Sequence, residues 1–254
     1  MLKRIFVPVL ALVALLLVSA PAWAQASASQ PPIFTYVSQW GVPRAQWGDV
    51  AKVDADEKVV MDQLVANGTL IGYGYFTNWV HSDNGYTHGD WFIATSVAGI
   101  LKSLETVYSK PGVTAPVRAA SKHQDYFMIS TIYGGRSVTN SAGYIRVISS
   151  EVKPGKMGDF QDTYRRYIVP VYEQLLADGT IVAYQLDSEY IIENAPGRAF
   201  SVVITKDAEG MDKVRAAVGE AFAKNPAAID ALISNTVPDT RDDLLARITA
   251  MTRK

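Results

Sequence analysis

Apolar residues fall into two rhythms along this chain, and the two rhythms follow one another twice. Met157, Phe160, Tyr164, Ile168, Val171 and Leu175 recur at steps of three and four, which makes one apolar face of a helix. Pro170 sits inside that run and predicts a kink, because proline has no amide hydrogen and its ring crowds the preceding turn. Asp178-Gly179 ends the helix with residue types that tolerate a left-handed backbone. Residues 181–192 and 198–205 are then rich in β-branched and aromatic side chains and read as strands, and residues 208–223 read as a helix. The same succession occurs earlier. Residues 33–42 read as a strand and 49–66 as a helix closed by Asn67-Gly68. Residues 70–81 and 88–95 read as strands around Asn84-Gly85, a two-residue hairpin signal, and 97–108 as a second helix.

The repetition extends to residue identity. Gln63-Leu64-Val65-Ala66-Asn67-Gly68-Thr69-Leu70 returns as Gln174-Leu175-Leu176-Ala177-Asp178-Gly179-Thr180-Ile181, an offset of 111 with five of eight positions identical. Gly48-Asp49 matches Gly158-Asp159, and Phe34-Thr35-Tyr36-Val37 lines up with Tyr144-Ile145-Arg146-Val147, both at an offset of 110. Three matched segments in one order indicate an internal duplication. A fourth strand completes each copy. In copy one it is 126–133, after a loose stretch from 110 to 121. Residues 242–254 fit either a strand or a helix, and the likeness of Gln124-Asp125-Tyr126-Phe127 to Arg241-Asp242-Asp243-Leu244 favours a strand. Residues 134–143 read as the linker, giving units at 33–134 and 143–254.

The N-terminus carries an address. Lys3 and Arg4 precede an apolar run over 5–18, and Ala22-Trp23-Ala24 supplies an A-x-A cleavage pattern. The expectation is a signal peptide over 1–24 and a periplasmic or secreted protein, with no membrane span after cleavage. Without Lys3 and Arg4, 22 of the 24 basic residues face 25 acidic ones. No basic stripe is present, so nucleic acid is not an expected partner. There is no Cys, which rules out disulfides, thiolate chemistry and Cys-based zinc sites.

The doubled order βαββαβ and the helix-end motif Q-L-x-A-[ND]-G-T resemble the ferredoxin-like fold, and within it the dimeric α/β-barrel superfamily. That resemblance covers about residues 33 to 250. It implies an α+β chain of two tandem ferredoxin-like units, with antiparallel sheets, helices on one face and a pseudo-dimeric α/β barrel. It also implies a monomer, since the second copy stands where a partner subunit would. The superfamily includes cofactor-free monooxygenases, haem-degrading enzymes and chlorite-dismutase-like proteins. No catalytic signature selects among them.

Two groups of side chains could carry chemistry. With Asn84 and Gly85 as the turn, His81 falls opposite His88 and Trp79 opposite Asp90. Directly opposed Cβ atoms are about 4.5–5.5 Å apart, so His81, His88 and Asp90, with Asp83 as the alternative carboxylate, form a candidate divalent-metal set. The competing reading is a polar hairpin tip in solvent, and copy two has no His at its equivalent tip. The second group is aromatic. Tyr73, Tyr75 and Trp79 share one strand face in copy one, and Tyr184 follows the same parity in copy two. They are candidates for the wall of a pocket that takes a small, largely apolar molecule, or else for ordinary core. Trp40 and Trp47 could close such a pocket. Arg165 and Arg166 could hold an anion but suit a solvated helix face better. No P-loop, G-x-S-x-G or H-E-x-x-H occurs, and no motif names a cofactor, haem included.

Overall fold

The computed structural model describes residues 30–82, 85–109 and 114–254. The expected signal segment and the Asp83-Asn84 half of the expected turn lie outside these residues. In chain order the elements are β1 (Ile33–Trp40), α1 (Trp47–Ala66), β2 (Gly72–Asn78), β3 (His88–Ala94), α2 (Val97–Tyr108), α3 (Ala115–Ala119), β4 (His123–Gly135), β5 (Val138–Glu151), α4 (Met157–Tyr167), α5 (Val169–Ala177), β6 (Ile181–Glu189), β7 (Arg198–Thr205), α6 (Ala208–Lys224), α7 (Pro226–Asn235) and β8 (Asp242–Arg253).

The strands close into one antiparallel barrel in the order β1-β3-β2-β8-β5-β7-β6-β4. The first half contributes β4-β1-β3-β2 and the second β8-β5-β7-β6. The two four-strand sets are joined by β2 on β8 and by β4 on β6. Closure removes the free edges that a four-stranded sheet would otherwise expose. Alternate residues then face either the lumen or the helices outside. On β1, Thr35, Val37 and Gln39 line the lumen, while Phe34 and Tyr36 pack among helix residues. Gly74 is required by this packing: a Cβ there would collide with the Trp91 indole of the neighbouring strand.

Each half has its own helix–sheet layer. Met61, Leu64 and Val65 of α1 and Ile100 of α2 are buried against Tyr73, Tyr75 and Phe92. Burial of each such aliphatic side chain contributes about 1.5–3 kcal/mol. The second layer packs Tyr164, Ile168, Tyr172, Leu175 and Val214 on Tyr184, Leu186 and Val203. Matched polar contacts accompany both. Tyr73 donates to Asp62 and Tyr184 to Glu173. Thr69 N donates to Asn67 Oδ1 and Thr180 N to Asp178 Oδ1. Ser96 caps α2 and Asp207 caps α6, each accepting from the amide of a glycine three residues on.

Several expectations change in this frame. The break at Pro170 is a helix boundary, with α4 ending at Tyr167 and α5 beginning at Val169. Residues 242–253 form a strand that pairs with β2 and β5. The expected linker over 134–143 is instead mostly strand, since β4 runs to Gly135 and β5 starts at Val138. Its backbone is claimed by pairing with β6 and β8. Helix α7 was not anticipated. Its N-terminus is marked by Asn225-Pro226, a proline in the first helical turn. Within the stretch over 110–121, α3 forms at Ala115–Ala119.

Candidate functional site

The predicted hairpin register is not the observed one. Strand β2 ends at Asn78 and β3 begins at His88. His88 pairs with Thr77, and Asp90 with Tyr75. Asn78 donates from Nδ2 to Tyr86 O and from its backbone amide to Thr87 O. Among the described residues, no group of three or more His, Asp or Glu side chains stands close enough to hold a metal ion.

The true register assembles something else on the helix-facing side of the first-half sheet. One row across the strands reads Asp125, Ser38, Asp90, Tyr75 and Ala250. The next reads His123, Trp40, His88, Thr77 and Arg247. Helix α1 lies over these rows and leaves a cleft of about 240 Å³, walled by Trp47, Val50, Asp54, Lys58, Tyr75, Thr77, His88 and Ala250. Tyr75 is 2% exposed, and its hydroxyl has no hydrogen-bond partner among the described residues. An orphaned buried hydroxyl costs about 1–3 kcal/mol, which is unusual unless something else satisfies it.

The titratable groups around the cleft are strongly displaced. Burial, and then the negative charge of Glu57, pushes the Asp54 carboxyl up to about 7. Burial holds Asp90 well above the carboxylate range, reinforced by Glu57, Asp54 and Asp125. Burial also raises the Tyr75 phenol, with Glu57, Asp90 and Asp54 adding to it. His88 is pulled down to about 4, first by burial and then by His81. Its imidazole is thus neutral at pH 7, with Nδ1 3.0 Å from Thr87 Oγ1. Trp47 stands edge-on to His88 at 5.1 Å between ring centres and 5.6 Å from His81, and donates its indole N–H to Val42 O. Beyond Asp90, Ser38 Oγ is 2.9 Å from His123 Nε2, which lies 2.8 Å from Asp125 Oδ1, and Trp40 stacks on the His123 ring at 3.7 Å.

Of the residues marked in the sequence, Tyr75 and His88 wall this cleft, and Asp90 pairs with Tyr75 on the neighbouring strand. Tyr73 packs beside it, with its hydroxyl on Asp62 of α1. His81 is exposed, with its ring 5.6 Å from Trp47, and stands among the residues around the lumen cavity. Trp79 is 60% exposed and rests edge-on against Tyr144, so it closes no pocket. Tyr184 belongs to the second-half layer. Asp54 was missed, although a signal existed. The apolar face Met157, Phe160, Tyr164, Ile168 reappears 110 residues earlier as Trp47, Val50, Asp54, Lys58, so two charged residues interrupt an apolar stripe.

The barrel lumen is a second and larger cavity, about 290 Å³ and mostly apolar. It lies on the other face of the sheet from Asp54 and Asp90, and it has a displaced acid of its own in Asp187, which burial pushes up to about 7.

No protein-family model and no curated protein matches this sequence. Solved structures do match by shape. A proposed monooxygenase from Lactobacillus acidophilus NCFM superposes with a TM-score of 0.61 at 12% identity, covering 88% of this chain and 97% of that one. One from Fusobacterium nucleatum gives 0.58 at 9%, covering 89% and 95%. An anthrone oxidase-like protein gives 0.54 at 11%, covering 89% and 95%. At these identities the likeness is one of fold, and the fold this chain shares with them is the dimeric α/β barrel.

Proposed function

We infer that this is an exported, monomeric protein of two fused ferredoxin-like units whose first unit binds a small, largely apolar molecule in the α1–sheet cleft and removes a proton from it. The 4-1-3-2 strand order of each half and the paired contacts at a spacing of 111 support the fusion. One observation carries the functional reading. At the positions of Asp54, Tyr75 and Asp90, the second half has Tyr164, Leu186 and Ser201, and there Tyr164 Oη and Ser201 Oγ are 2.8 Å apart in closed core. The first half has lost that packing and gained a cleft, two displaced acids and an unpartnered phenol. Such a departure from packing rules is expected where function is served.

The roles follow from the protonation states. Asp54, near 7, is divided between base and acid at neutral pH, which suits proton abstraction. Asp90 stays protonated, and it and Tyr75 can donate hydrogen bonds to the anion that forms. Trp47 and Val50 offer an apolar wall for the rest of the molecule. Removing a proton from an activated C–H or a phenol is the opening step of cofactor-free oxygenation, in which the resulting carbanion gives its electrons to dioxygen. This is the chemistry that the oxidase-like name of one structural neighbour suggests.

Mass spectrometry of the natively purified protein should reveal both an N-terminus at Gln25 and a retained small molecule. Oxygen consumption with anthrone should fall at least 100-fold in Asp54→Asn. Neither turnover in wild type nor any retained molecule would remove this reading.

A further inference from the structure

The lumen has its own chemistry, independent of the cleft. Most of its wall is apolar, with Val37, Trp91, Ile145, Val147, Val202 and Ile204 facing inward. Polar groups stand at both ends, with Gln39, Asn78, Ser149, Asp242 and Asp243 at one and a buried set at the other. Thr35, Gln185 and Asp187 are 4%, 6% and 2% exposed. Gln185 Nε2 donates to Thr35 Oγ1 at 2.7 Å and to Asp187 Oδ1. Arg253 enters from the last residue of β8, and its guanidinium occupies the place a side chain on Gly135 of β4 would need. Strands β8 and β4 are four places apart in the eight-strand ring. Val138 of β5, three residues past Gly135, pairs with Arg253, so the guanidinium lies at this end of the barrel beside the β4–β5 crossing, and the bare backbone of Gly135 makes room for it. Among the described residues Arg253 forms no ion pair. Burial depresses its pKa, opposed by the charges of Tyr133 and Asp187. Asn78, Val80, Tyr86 and Tyr126 stand around the other end, where the cavity opens.

We propose that the lumen is a second binding site, for a small apolar monocarboxylate whose head group sits between the Arg253 guanidinium and the Asp187–Gln185 pair. A cation at the bottom of an apolar well lacks an anion, and a carboxylate matches a guanidinium in shape and charge. An ammonium head would meet Arg253 as a like charge. Burial pushes Asp187 up to about 7, so in its protonated form it donates to the incoming carboxylate rather than repelling it. At roughly 30 Å³ per water-sized volume, the cavity suits a body of about ten to twelve non-hydrogen atoms.

The test is calorimetric titration of the full chain with 2-naphthoate and, separately, with the uncharged 2-naphthalenemethanol. Wild type is expected to bind one naphthoate. Arg253→Gln should weaken naphthoate at least tenfold while changing the alcohol less than twofold, and Val147→Phe should weaken both by narrowing the lumen. No heat with wild type, or equal naphthoate affinity in all three proteins, overturns the site. So does loss of naphthoate binding in Asp54→Asn, which would place the molecule in the cleft. Should Arg253→Gln fail to fold, intermolecular nuclear Overhauser effects decide. Contacts between naphthoate and the Trp91 indole support the site, and their absence with bound ligand overturns it.

Discussion

A tyrosine on α4 and an aspartate on α1 occupy equivalent places 110 residues apart, and the two halves diverge around them. Tyr164 is 3% exposed, reaches Ser201 and packs with Tyr172 and Tyr184. Asp54 fills less volume, faces another displaced acid and leaves a cleft beneath the helix. The second half fills this layer with apolar rings, and the first half has charged groups and a cleft in the corresponding layer. The scaffold contacts that define the unit, such as Tyr73 on Asp62 and Tyr184 on Glu173, persist on both sides.

Moving the acid across should give the largest effect. Tyr164→Asp puts a carboxylate into closed core, removes an aromatic ring and strands Ser201. A loss of about 4 kcal/mol is expected in urea unfolding. A loss below about 1 kcal/mol would mean that the second layer is not the tightly packed one. The reverse exchange, Asp54→Tyr with Tyr75→Leu and Asp90→Ser, should close the cleft. It should raise stability by about 2 kcal/mol at pH 8 and abolish anthrone turnover. Here the sign follows from the raised pKa of Asp54. Its stabilising contribution is complete below about 3.8 and is lost as pH climbs toward 7, so relief is greatest in alkali. Unchanged stability across pH 4–8 would show that these acids carry no strain.

His88 gives a smaller effect in the opposite pH direction. Its pKa is depressed from 6.5 to about 4, so the native state favours the neutral ring. Stability should be full above 6.5 and fall by about 1–3 kcal/mol as pH drops to 4. The second half has Ala199 at this place, so His88→Ala should flatten that slope in thermal melts between pH 4 and 7. A slope as steep in the variant as in wild type would assign it to other groups. The smallest expected effect tests the shared scaffold. Tyr73→Phe and Tyr184→Phe each remove one charge-assisted hydrogen bond and should each cost about 1.5 kcal/mol. A difference of more than 1 kcal/mol between them would argue against equivalent layers.

How far the sequence could be read differed sharply by level. Elements whose pattern is local came through closely. The predicted helix over 97–108 and strand over 198–205 have those bounds in the structure, and the break beside Pro170 follows from proline's missing amide hydrogen. The arrangement of the marked side chains was legible only in part. Tyr75, His88 and Asp90 were marked for a register in which His81 faces His88, whereas His88 pairs with Thr77. Tyr73 and Tyr184 are buried and stand among the residues around the lumen, and Trp79 is exposed. The expected linker was read as such because Gly134, Gly135 and Gly143 look like loop. In a closed barrel those positions are strand, because β6 and β8 need pairing partners there.

The sequence by itself determined the address pattern, the doubled α/β order and the absence of cysteine chemistry, since these rest on composition, spacing and repetition along one dimension. Tertiary structure alone decided which strand faces meet. A slip of register moves every side chain relative to its neighbours, and in the register of β2 on β3 His88 meets Thr77, with β8 pairing on the far side of β2. Barrel closure decided that Tyr75 and Asp90 look toward α1 while Phe76 and Trp91 look inward. A carboxylate's pKa depends on what surrounds it in three dimensions, so the displaced Asp54 and the guanidinium at the end of the lumen could not be read before the chain was folded.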